Sequence, residues 1–96
     1  MFQQITISTQ NAEKFKPLLR SALEREARLL DFSIQRTMEA LKVYEDRYGL
    51  TSNEFERQFK AREIEESLDY LDWWMEIEAL HHLEEQRHSL EDARLD

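Results

Sequence analysis

Cysteine is absent from the 96 residues, and glycine and proline occur once each, at Gly49 and Pro17. Without thiols there is neither a disulfide framework nor thiolate chemistry, as suits a reducing cytoplasm. A single glycine excludes a glycine-rich phosphate loop. So few breakers leave long uninterrupted segments, and abundant Leu, Glu, Arg and Ala make those segments helical. No apolar run approaches the roughly 20 residues of a membrane span, and no apolar leader core opens the chain. Cation is missing too, but only locally: from Glu63 to Gln86 there is no Lys or Arg, against nine acids.

What is present is charge of unequal placement. The formal net charge is −8. Residues 1–48 carry eight Lys/Arg and seven acids, a net of +1, so residues 49–96 carry −9. Phosphate backbones need cations, so direct nucleic-acid binding by the second half is disfavoured. A basic protein partner suits it better, because opposite charge steers encounter. The same acidic run holds Tyr70, Trp73 and Trp74. Large aromatics are rarely left in water, so this run meets either its own core or a partner.

The chain reads as one helical domain over 1–96. Ile5 and Ile7 alternate with Gln4, Thr6 and Ser8, which predicts a short strand over 2–8. A lone strand needs a neighbour, and the same strand of a second chain would serve, which points to a homodimer. Pro17 is acceptable in a first helical turn, so a long helix is predicted over 16–48. Along it Leu23, Ala27, Leu30, Ile34, Thr37, Leu41, Tyr44 and Tyr48 alternate steps of four and three, a heptad seam. Such a helix needs an antiparallel neighbour from this chain or from another.

Gly49 ends that helix, and Thr51 with Glu54 forms a capping box for a short helix over 52–61. Leu50 and Phe55 stand at the positions of a hydrophobic staple. A C-terminal helix follows over 66–92, opened by Glu66 or Ser67, with Asp69 in its first turn. Trp73, Ile77, Leu80, Leu83 and Leu90 form its apolar stripe, with Leu71, Trp74 and Met75 beside it. The fold class is therefore mainly α: a short strand, then two long helices in an antiparallel hairpin with a short helix between them.

Catalytic constellations are lacking. All three histidines lie within eight residues, at His81, His82 and His88, and no Ser/His/Asp or Cys/His arrangement can be built. Glu78, His81, Glu85 and His88 repeat a Glu-x-x-His spacing on one helix face; di-iron bundles use that motif on two helices, so metal is only a weak alternative to a solvated polar face. Glu63/Glu66 and Asp69/Asp72 repeat an acid-x-x-acid spacing seen in helical nucleotide hydrolases, but the second helix's motif is missing. A ribbon-helix-helix DNA reader would place Gln4, Thr6 and Ser8 on bases, yet the strand carries no Lys or Arg. No enzyme and no cofactor is expected.

The order Pro17-Leu18-Leu19, Ala22-Leu23-Glu24-Arg25-Glu26, Tyr48-Gly49-Leu50-Thr51-Ser52-Asn53-Glu54-Phe55, Phe59, Glu63 to Tyr70 and Trp73 resembles a group of small bacterial and archaeal helical proteins. Their shared signature is a Tyr-Gly-Met-Ser/Thr-Ser/Thr-Glu-Glu-Phe stretch followed by an acidic Trp segment. Leu50 stands where Met is usual, Asn53 replaces an acid, and Lys60-Ala61-Arg62 lacks a frequent glycine. Many members look like antitoxins encoded beside a small toxin. The resemblance implies a binding role. In it the acidic face of Glu65, Glu66, Asp69, Asp72 and Glu76 would meet a small basic protein, with Tyr70 and Trp74 as the desolvated anchor and Trp73 beside them in the partner-binding set. The competing reading is a structural adaptor that oligomerises through its heptad seam.

Overall fold

The computed structural model describes residues 3–93, and its regular structure is three helices: α1 (Ala12–Tyr48), α2 (Ser52–Lys60) and α3 (Leu68–Asp92). α1 and α3 form the antiparallel hairpin, and α2 packs across one end of it. The particle is elongated, 58 × 27 × 17 Å, as a 37-residue helix of about 55 Å requires.

The strand expected at 2–8 is a correction. No strand occurs among the described residues, and Ile5 and Ile7 are exposed; Phe2 lies outside them. An isolated extended segment has no edge to bond to, so alternation alone does not create a strand. Strand-mediated pairing and the ribbon-helix-helix reading lose their element with it. α1 also begins a turn earlier than Pro17 suggests. Asn11 caps it, its side chain accepting from the Lys14 N–H at 3.2 Å, and Pro17 sits inside the helix.

Each boundary has a local cause. Gly49 takes a left-handed conformation (φ 68°) and its N–H bonds the Glu45 carbonyl at 2.9 Å, closing α1. The Thr51 hydroxyl accepts from the Glu54 N–H at 3.1 Å. The box is only half formed, because the Glu54 carboxylate turns to Arg57 and Gln58 instead. Glu45 reaches across to take the Ser52 N–H at 2.7 Å, tying α1 to the start of α2. α2 ends in a Schellman pattern, Glu63 N–H to Gln58 and Arg62 N–H to Phe59, with Arg62 at φ 57°. Ser67 then caps α3 through the Tyr70 N–H.

The heptad seam faces inward over its whole length. All eight seam residues from Leu23 to Tyr48 are buried or half-buried, with Leu30 and Leu41 fully so. α3 is the neighbour that covers them: Arg47 meets Asp69 at one end of the hairpin and Asp31 meets Arg87 toward the other. The seam is thus covered by α3 of the same chain.

Candidate functional site

The densest part of the molecule is an aromatic cluster where α2 meets the hairpin. Leu41, Phe55, Trp73 and Ile77 are its buried centre, ringed by Tyr44, Tyr48, Leu50, Phe59, Ile64, Tyr70, Trp74 and Leu80. The Trp73 indole stacks on Phe55 at 3.9 Å between ring centres, nearly parallel, and lies 5.7 and 5.8 Å from Tyr44 and Tyr48. Its N–H donates to Ser52 Oγ at 3.0 Å, so the one polar atom of the ring is satisfied. Trp73 is 0 % exposed. The assignment of Trp73 as a partner contact is therefore corrected: it holds α1, α2 and α3 together.

Its neighbour Trp74 turns about 100° away and is half-buried. It stacks on Phe59 at 5.3 Å, with the Lys60 ammonium over its ring at 5.5 Å. Tyr70 is half-buried between Tyr48 and Phe55. Both residues are half-buried, where α3 meets α2.

The acids of the run divide into two groups. Asp69 is committed internally: it accepts from the Tyr48 hydroxyl and from Arg47 at 2.7 Å. Those two hydrogen bonds, the phenol's first, hold its carboxyl below the usual carboxylate range. The same contact raises Tyr48, because the bonded hydroxyl resists ionising beside a carboxylate. Tyr44 is raised as well, chiefly by desolvation and then by Asp72, Asp69 and Glu76 nearby. Glu65, Glu66 and Asp72 are exposed, Glu76 is half-buried, and among the described residues none of the four has an ion-pair partner within 4.0 Å.

The same end of α3 carries exposed apolar side chains. Leu68, Leu71 and Met75 are 82, 38 and 66 % exposed, on the side of α3 away from α1. Leu71 and Met75 lie beside the Trp73–Ile77 stripe in the sequence. Leu71 stands two residues before Trp73, about 200° around the helix, so once Trp73 enters the core Leu71 must face out. The 3–4 spacing of Leu68, Leu71 and Met75 is the signal that could have separated this second stripe from the Trp73–Ile77 stripe. The result is an exposed apolar patch with Asp72 beside it on α3 and Glu65 and Glu66 in the segment that leads into the helix.

The Glu/His face does not converge. His81 Nε2 points toward Glu56 of α2 at 3.7 Å, and Glu85 offers its backbone carbonyl to Ser89. Among the described residues no three His, Cys, Asp or Glu side chains come together as a metal-binding group, so Glu78, His81, Glu85 and His88 share a face without forming a site. No helix among them is long and apolar enough to cross a membrane. Comparison with known protein families, with curated proteins and with solved structures finds no match to this chain. What the geometry defines by itself is a three-helix scaffold presenting an acidic, apolar helix start.

Proposed function

We propose that the chain is an antitoxin-like binding protein whose α3 covers a basic surface on a small toxin and neutralises it. The observation that carries this reading is the exposed Leu68–Leu71–Met75 patch at the start of α3, in the same stretch as Glu65, Glu66 and Asp72, which have no ion-pair partner among the described residues. An apolar patch on a small domain costs solubility unless something covers it, and the acids of the same stretch select a basic cover. Charge steers the encounter while the apolar patch, with the half-buried Tyr70 and Trp74, supplies the desolvated contact. Trp73 and Asp69 support the surface from beneath and do not touch the partner. No catalytic role is assigned to the chain. Its likeness to helical antitoxins in the Tyr48–Phe55 segment and the acidic Trp segment favours a toxin over other basic proteins.

The test is co-expression with the small basic product of the neighbouring gene. The expected result is a complex that co-purifies and restores growth arrested by the neighbour alone. Leu71→Lys with Met75→Lys should abolish both effects while leaving the helical circular dichroism intact. A chain that neither binds nor rescues refutes the reading. Binding undiminished in the Lys variant moves the interface elsewhere.

A further inference from the structure

The hairpin has an open side. α2 occupies the other one, where Glu45, Trp74 and His81 meet it. Ala40 stands about 140° around α1 from Glu45, and Glu76 about 160° and 140° around α3 from Trp74 and His81. On this open side Ser33, Arg36, Thr37, Ala40 and Glu76 line a groove between the two long helices. Its floor is small side chains. Its banks carry one cation and one acid, and neither has an ion-pair partner among the described residues.

The α1 bank continues as a second seam. Leu29, Arg36 and Val43 follow at seven-residue steps beside Ser33 and Ala40, and both Leu29 and Val43 are exposed. Leu29 and Val43 leave exposed apolar surface on this bank on either side of Arg36, beyond the face that α3 covers, as on a helix of a four-helix bundle that meets a further helix. The charge of the groove chooses the occupant. A foreign basic helix would set cations against Arg36, and an acidic one would set carboxylates against Glu76. A second copy related by a two-fold satisfies both at once, because each bank then meets the opposite bank of its partner.

We infer that the chain forms a two-fold homodimer through this groove, α1 of one copy lying against α3 of its partner, with Arg36 facing the partner's Glu76 twice over. The small floor allows close approach, and Leu29 and Val43 add apolar contact at either end. Opposing α1, net +1, to α3, net −7, also avoids setting two acidic helices against each other. This goes beyond the toxin-binding reading and leaves the Leu68–Leu71–Met75 patch free on the outer face.

The experiment is sedimentation equilibrium on the purified full chain and on R36E, E76R and their equimolar mixture. The wild-type chain should be a dimer at about 0.1 mM, and each single reversal should raise the dissociation constant at least about tenfold. The mixture should recover a one-to-one dimer, since one ion pair then keeps its native sign and the other is rebuilt with the sign exchanged. Ala40→Gln, which fills the floor without altering charge, should weaken the dimer independently. A monomeric wild type overturns the inference, as do reversals that leave dimerisation unchanged or a mixture that stays monomeric. None of these measurements involves the toxin, so failure here leaves the partner reading untouched, and the reverse holds.

Discussion

Trp73→Ala is the sharpest test of how this fold is held. The side chain is fully buried, stacked on Phe55, flanked by Tyr44 and Tyr48, and hydrogen-bonded to Ser52. Truncating a buried Trp to Ala typically costs about 3–5 kcal/mol, because transfer energy is lost and a cavity is left. A domain of this size is stabilised by about 5–15 kcal/mol in total, so that loss is a large share of it. The lost stack also strands Phe55, whose ring is the buried anchor of α2. Two consequences separate this account from a generic core defect. Trp73→Phe keeps most of the apolar contact and should lose only about 1–2 kcal/mol, mainly the Ser52 bond and part of the stack. In Trp73→Ala, hydrogen exchange in α2 should accelerate before that in α1, since α2 has little other burial. The assay is urea unfolding followed by circular dichroism and by the fluorescence of the remaining Trp74. A loss below about 1 kcal/mol for the Ala variant would refute the argument that this ring organises the core.

The Asp69 cluster gives acid and alkaline limits to stability. Asp69 is held below the usual carboxylate range, so its contribution is complete above about pH 4 and is lost as pH falls through its lower folded value. Asp69→Asn should flatten the urea midpoint below pH 4; an unchanged acid slope would remove Asp69 from that role. Tyr48 and Tyr44 are raised, so their contribution is complete below about pH 10 and fades as pH climbs through the folded values. Absorbance titration of the phenolates should show Tyr44 and Tyr48 ionising late, and Tyr48→Phe should delete one of these late steps. Gly49→Ala should cost about 1 kcal/mol from the left-handed conformation alone, because nothing lies within 4 Å of the added methyl. Arg62→Gly should instead stabilise by about 0.5 kcal/mol, relieving the same conformation at the end of α2 and exceeding the added chain entropy. A thermal melt distinguishes the two signs.

The residues that were legible from sequence are those whose cause is local. The seam from Leu23 to Tyr48 is periodic, and periodicity is independent of what covers it. Gly49, the Thr51 cap and the Leu50–Phe55 staple are local signals, and the structure forms the stop and the cap and packs Leu50 against the cluster that holds Phe55. The half-formed box shows the limit: Glu54 had nearer partners in Arg57 and Gln58 than the backbone it was expected to reach. The strand at Gln3–Ser8 failed because a strand is a relation between segments, and no second segment is present among the described residues. The two aspartates of the candidate site separate for the same reason. Asp69 and Asp72 look alike in the sequence, yet only Asp69 lies within reach of Arg47 and Tyr48, 22 and 21 residues away.

The acid run with its paired tryptophans was visible from composition alone, as was the need of a long amphipathic helix for a neighbour. Composition and periodicity determine how much apolar surface must be covered and which stripe of each helix carries it. They do not determine the rotation of α3 about its own axis against α1. That rotation is chosen by the packing of Trp73 on Phe55 and the tyrosines, a contact among three helices distant in sequence. Once it is set, Leu68, Leu71 and Met75 are turned outward, Asp69 is drawn inward, and the open groove beside Arg36 and Glu76 is left on the side α2 does not occupy.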